Sequence, residues 1–126
     1  MSTFSYRKLF RSFRYAFRGL VRLIRTEQNA QIHFTVAVLV GIGAYAFHLT
    51  RVEATLVFFA VALVFAIEIT NTAIEKLLDL VHPESHSQVA YIKDALAGAV
   101  LISATIAAVV GFLTFYPHVI DFFSKL

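Results

Sequence analysis

The stretch spanning residues 68–79, EITNTAIEKLLD, constrains this chain more than any other. An apolar run, ATLVFFAVALVFAI, leads directly into it. Glu68, Asn71, Glu75 and Asp79 then follow at spacings of three and four. On a helix turning about 100° per residue they fall in one narrow stripe. Ile67, Ile69, Ala73, Ile74, Leu77 and Leu78 flank that stripe. Acids therefore line one face of a helix that is otherwise apolar enough for hydrocarbon. A carboxylate in hydrocarbon is costly unless it finds a partner, so such a position points first to function. The competing structural reading is a solvated helix end, with Glu75 and Asp79 simply in water. Glu68 lies too close to the apolar run for that reading to cover it.

Two further stretches set the fold class. No Asp, Glu, Lys or Arg occurs from Gln28 to Thr50, or from Ala95 to Ile120. Each exceeds the ~20 residues needed to span hydrocarbon. The run from Ala54 to Ile67 reaches that length only by continuing into the acidic stripe. With 59% hydrophobic residues in a chain of 126, three membrane helices use most of the sequence. No room remains for a separate soluble domain, and the expectation is one all-α membrane domain over residues 1–126. The periodicity places a surface helix at about 5–26 and spans at about 29–48, 52–81 and 88–116. There are no cysteines, which excludes disulfides, thiolate metal sites and cysteine nucleophiles.

The charge is local. Seven of the eleven Lys and Arg residues precede Glu27. Arg7, Lys8, Arg11, Arg14, Arg18, Arg22 and Arg25 recur every three or four residues, and Phe10, Phe13, Phe17, Leu20 and Ile24 recur on another face. That is the pattern of a basic amphipathic helix lying among lipid headgroups, and it points to a membrane surface and not to nucleic acid. The plain role is an anchor that sets topology; a sharper one is that some of these cations meet substrate phosphates. The basic start, the apolar run and Ala44-Tyr45-Ala46 imitate a signal peptide. The basic region is too long for one, and two further spans follow.

Glu27 is the only acid before Glu53 and falls at the junction of the surface helix with the first span, where a metal or a neighbouring Arg is its natural partner. His33 alone reads as an interfacial, hydrogen-bonded histidine. Gly41 and Gly43 suit close helix contact. A short turn lies near residues 48–53, and Pro83 in the polar loop of residues 82–87 stops the second span. The third span opens on Lys93 and Asp94 beside small residues and is expected to end before Pro117. An Arg-rich N-terminus stays in the cytoplasm. Three crossings then bring Glu27, the acidic stripe, Lys93 and Asp94 to the cytoplasmic face.

Carboxylates, an amide and a lysine at a membrane surface suit a divalent metal and a polyphosphate. No GxxxxGK[ST], GxGxxG or nucleophile-elbow arrangement is present. A non-enzymatic pore or assembly subunit would carry polar residues along a whole span, whereas here they are confined to one side. A proton-coupled transporter would place acids near the midplane, where Glu68 is the single candidate.

At these residues the chain resembles a known family. EITNTAIEKLLD is similar to the signature of the prokaryotic diacylglycerol kinases, small integral-membrane lipid kinases, with Glu68, Asn71, Thr72-Ala73-Ile74-Glu75 and Asp79 in register. Tyr15 to Leu20, Glu27, Glu84, His86, Lys93 and Asp94 also stand where that family has counterparts. Leu80 departs from the best-known diacylglycerol kinase branch, which has Arg there. The wording from Glu27 to His33, with IEKLLDLVHPESH, looks more like the undecaprenol kinase branch. The resemblance implies a homotrimer of three-span subunits in the bacterial inner (plasma) membrane. It implies ATP-dependent phosphorylation of a membrane lipid alcohol, undecaprenol first and diacylglycerol as the alternative, with Mg²⁺. Carried over by position, Glu68 would be the catalytic base, and Glu27 and Glu75 would hold Mg²⁺ with the ATP phosphates. Asn71, Lys93 and Asp94 would bind or orient ATP, assisted by Lys8, Tyr15, Glu84 and His86. The residue pattern by itself does not separate base from metal ligand.

Overall fold

Four helices in chain order make up the chain in a computed structural model that describes residues 5–84 and 86–125. They are α1 (Tyr6–Thr26), α2 (Gln28–Ala46), α3 (Arg51–Val81) and α4 (Ser87–Ser124). Three of them, α2, α3 and α4, are long and apolar enough to cross a membrane. At about 1.5 Å per residue α2 just spans a hydrocarbon core of roughly 30 Å, while α3 and α4 project beyond it. The chain is thus a multi-pass membrane protein.

Packing centres on α3. It contacts α4 most extensively and also α2, whereas α1 touches α2. The wholly buried apolar residues among those described are few: Ala30, Val57 and Val64. Large apolar side chains such as Phe58, Phe59, Leu101 and Phe112 point outward. In water such a surface would aggregate; in a bilayer it is the solvated face, because a helix closes its backbone polar groups along the span.

The joints are tight. Glu27 alone separates α1 from α2, in an extended conformation with φ −110° and ψ 120°. Its amide donates to Leu23 O at 2.9 Å, and its carbonyl accepts from Gln31 N at 3.1 Å, so it ends one helix and begins the next. Arg25 in the last turn of α1 complements the helix dipole there. Between α2 and α3, His48 takes a left-handed φ of 53°, which turns the chain. Thr50 then caps α3 in a capping box with Glu53: Glu53 N donates to Thr50 Oγ1 at 3.3 Å, and Thr50 N donates to Glu53 Oε2 at 2.8 Å. Glu53 therefore belongs to the first turn of α3 and not to the connecting turn. Pro83 follows the end of α3 as expected, and Ser85 of that loop lies outside the described residues.

Two expectations need correction. The third span does not stop before Pro117; α4 runs through it to Ser124. Proline inside a helix forfeits one hydrogen bond and crowds the preceding turn, at about 3 kcal/mol. Contacts beyond it hold the extension in place. His118 Nε2 lies 3.1 Å from Glu53 Oε1, and the Phe122 ring packs edge-on against Phe47 with centroids 6.3 Å apart. Of the two glycines in α2, only Gly43 marks a close helix approach. A Cβ there would meet the Phe115 ring of α4 at 3.2 Å, whereas Gly41 faces open space. Gly98, among the small residues opening α4, also faces open space.

Candidate functional site

The stripe on α3 grades from buried to exposed. Glu68 is 1% exposed and Asn71 5%, Glu75 is half-buried, and Asp79 is exposed. Helical spacing explains the order: each step of three or four residues moves about 5 Å along the axis towards the end of α3. Thr72, four residues after Glu68, lies on the same face, buried, with its hydroxyl beside the Glu68 carboxylate.

Glu68 and Glu75 do not stand alone. With Thr72 from α3 and Glu27, Gln28 and Asn29 from the α1–α2 joint, they line a cavity of about 160 Å³. Three carboxylates thus share one small space. Like charges so placed disfavour one another unless a cation joins them. Two buried oxygens in this region, Glu68 Oε2 and Asn71 Oδ1, have no hydrogen-bond partner among the described residues. An unpaired buried carboxylate oxygen is costly, and water, an ion or another ligand is among the partners that can complete it. Among the described residues, no group of three His, Cys, Asp or Glu is placed to close round a metal ion. The donors are oxygens from carboxylate, amide and hydroxyl, the type a hard divalent cation takes.

Glu27 has a partner. Lys76 Nζ lies 2.8 Å from Glu27 Oε1, and Thr26 Oγ1 donates to the same oxygen at 3.1 Å. The Lys76 hydrogen bond, then that from Thr26, holds the Glu27 carboxyl below its ordinary range. His33 is an electrostatic neighbour of Glu68 and also lines an apolar cleft of about 550 Å³ among α2, α3 and α4.

The other sequence candidates are placed as follows. Lys93, at the start of α4, donates to Asp79 Oδ1 at 2.6 Å, so the last acid of the stripe ties α3 to α4. Asp94, its neighbour, is exposed. Glu84 and His86 are exposed in the α3–α4 loop, where His86 caps α4 by accepting from Gln88 N on Nδ1 at 3.2 Å. The His82 and His86 rings face each other with centroids 5.5 Å apart. Lys8 and Tyr15 are exposed on α1 and do not line the cavity. The structure therefore brings Glu27, Glu68 and Glu75 together, keeps Asn71 buried on the helix carrying two of them, and leaves the remaining candidates at its margin.

Sequence reasoning overlooked Thr72, Gln28, Asn29 and Lys76. Thr72 was within reach of it, since a residue four after Glu68 shares its face. Gln28 and Asn29 simply follow Glu27. Lys76 carries no such signal, because its partner lies 49 residues away in sequence.

Comparisons with known proteins place the chain in a family. A profile described as "Prokaryotic diacylglycerol kinase" matches residues 14–115, which contain every lining residue of the cavity. The undecaprenol kinase of Bacillus subtilis (strain 168) is 37% identical over 110 residues, covering 87% of this chain and 89% of its own length. A diacylglycerol kinase of Synechocystis sp. is 35% identical over 111 residues, covering 87% of this chain and 63% of its own length. The chain belongs to the prokaryotic diacylglycerol kinase family and is a lipid kinase.

Proposed function

We propose that the protein transfers the γ-phosphoryl group of ATP to the hydroxyl of undecaprenol. The observation that carries this reading is the cavity in which Glu68, buried and with one oxygen unpartnered, faces Glu27 and Glu75. The choice of lipid rests on the named undecaprenol kinase, which matches over almost its whole length. Diacylglycerol is the second reading, favoured by the similarly related diacylglycerol kinase.

Glu68 is the general base. It accepts the proton of the lipid hydroxyl as that oxygen bonds to the γ-phosphorus and the bond to the ADP oxygen breaks. Its depth suits an alcohol held at the lipid interface, since it lies about two turns, or roughly 10 Å, inward of Glu75. Glu27 and Glu75 would hold Mg²⁺ together with ATP phosphates. Two carboxylates with phosphate oxygens are the usual set for this ion, which seldom takes an all-protein cage. When bound, the ion offsets the charge that develops on the transferring group. Asn71, Lys93 and Asp94 orient the nucleotide from α3 and α4. Asp79 steers the Lys93 ammonium towards that side. Lys8, Tyr15, Glu84 and His86 extend the nucleotide contacts from α1 and the loop.

The Arg-rich α1 lies on the cytoplasmic surface of the bacterial plasma membrane, and the acid-bearing end of the bundle faces the same side. The working unit is a homotrimer; the outward apolar faces of α3 and α4 support further packing between copies.

The test is transfer of labelled γ-phosphate in mixed micelles containing undecaprenol or diacylglycerol at matched mole fraction. A specificity ratio favouring undecaprenol is expected. A ratio favouring diacylglycerol replaces the first reading with the second, and transfer to neither lipid overturns both.

A further inference from the structure

Lys76 pairs with an acid of the cavity, yet it does not line the cavity. It follows Glu75 on α3, about 100° further round the helix, and its side chain is 61% exposed against 26% for Glu27. The ammonium therefore reaches Glu27 from the solvent side, while the Glu27 carboxylate also borders the cavity. Among the described residues, Lys76 and Thr26 both converge on Oε1 of that carboxylate. Within the cavity itself the carboxylates of Glu27, Glu68 and Glu75 have no cation among the lining residues. Lys76 neutralises one of the three from outside.

We propose that Lys76 is a stand-in cation, which holds Glu27 in the metal-free protein and must release it when a divalent ion binds there. The inference rests on the reading of Glu27 as a metal ligand. A divalent ion on the Glu27 carboxylate would sit against the ammonium, and the two positive charges repel. Lysine is the partner that leaves easily: its stem is flexible, its head regains full hydration in solvent, and an exposed ion pair is worth little. The pair offsets one of the three cavity charges and sets the metal concentration at which the site fills.

The experiment is Mn²⁺ binding to the full-length protein in detergent micelles, without nucleotide or lipid substrate. Free Mn²⁺ is read by electron paramagnetic resonance. Lys76→Gln and Lys76→Met are expected to tighten Mn²⁺ binding by roughly two- to five-fold, the factor that corresponds to an exposed ion pair. Lys76→Arg keeps the positive charge and should bind as the parent does, and Glu27→Gln should lose the site. Unchanged or weaker binding in both neutral variants, with binding still lost in Glu27→Gln, overturns the role of Lys76 alone. Equal tightening in Lys76→Arg also overturns it, because charge would then not be the cause. Parent-like binding in Glu27→Gln, or no Mn²⁺ bound by any form, overturns the metal assignment beneath it.

Discussion

Glu53 and Glu68 stand on the same helix, fifteen residues apart, in opposite surroundings. Glu53, at the start of α3, is engaged on both oxygens. Thr50 donates to Oε2 through its amide and its hydroxyl, each at 2.8 Å, and His118 Nε2 lies 3.1 Å from Oε1. The Phe47, Phe115 and Phe122 rings pack nearby. Glu68, towards the other end, is far more deeply buried and leaves Oε2 without a partner. An acid whose hydrogen bonds are closed within the chain fixes structure. An acid buried with them open is held ready for something the chain lacks. The bundle thus has a closed end, where α2, α3 and α4 are fastened, and an open end, which holds the acid-lined cavity.

The sharpest way to break this contrast is to remove charge at the open end. Glu75→Gln should abolish turnover in a folded, membrane-inserted protein. Glu68→Gln should lower kcat by at least about 10²-fold, the lower range for loss of a general base. Thermal stability of the Glu68→Gln protein should match or exceed that of the parent, since a buried unpaired charge is gone. Phosphoryl transfer and thermal unfolding, measured on the same preparations, check both. A Glu68→Gln protein that loses nucleotide-dependent thermal stabilisation or its oligomer along with activity would make Glu68 a packing residue like Glu53.

The closed end should respond the other way. Thr50→Ala removes the cap of α3 and should cost about 1 kcal/mol of stability. The KM for ATP should stay within two-fold or so, because the cap lies some 25 Å along α3 from the cavity. Parallel unfolding and kinetic measurements test this. A large rise in KM would show that the two ends are coupled and not separate.

The smallest effect concerns pH at the open end. The Glu27 carboxyl is held below its ordinary value of 4.5 by Lys76 and then Thr26. A depressed carboxyl adds stability that is present above the ordinary value and fades as pH falls through the lowered one. The stability difference between the parent and Lys76→Gln should therefore be visible at pH 7 and vanish in strong acid. The pair is exposed, so the difference stays small. Thermal midpoints of the two proteins across pH 3–7 measure it, and a gap that widens on acidification would be the wrong sign.

Local patterns carried far into this structure. The uncharged runs and the 3–4 spacing of Glu68, Asn71 and Glu75 rest on helix geometry alone, so spans and stripe were readable from a few consecutive residues. The continuation of α4 past Pro117 was not, because it depends on His118 meeting Glu53 and Phe122 meeting Phe47 from other helices. Tertiary contact there overrides a local breaker. Glu27 was placed near the stripe by counting membrane crossings, and the cavity is consistent with that. Its pairing with Lys76, like that of Asp79 with Lys93, joins distant segments through long flexible side chains, and no periodicity encodes such a meeting. Family resemblance supplied the division between base and metal ligand, which spacing leaves open.

One consequence follows from the single residue between α1 and α2. A joint of one residue has no slack, and that residue carries a carboxylate bordering the cavity. If α1 rocks, the rotation must pass through the φ and ψ of Glu27 and swing its side chain. The joint thus links the orientation of α1 to the position of an acid in the cavity. On the proposed surface placement of α1, a bilayer property that tilts it, such as headgroup charge or curvature, would displace that acid.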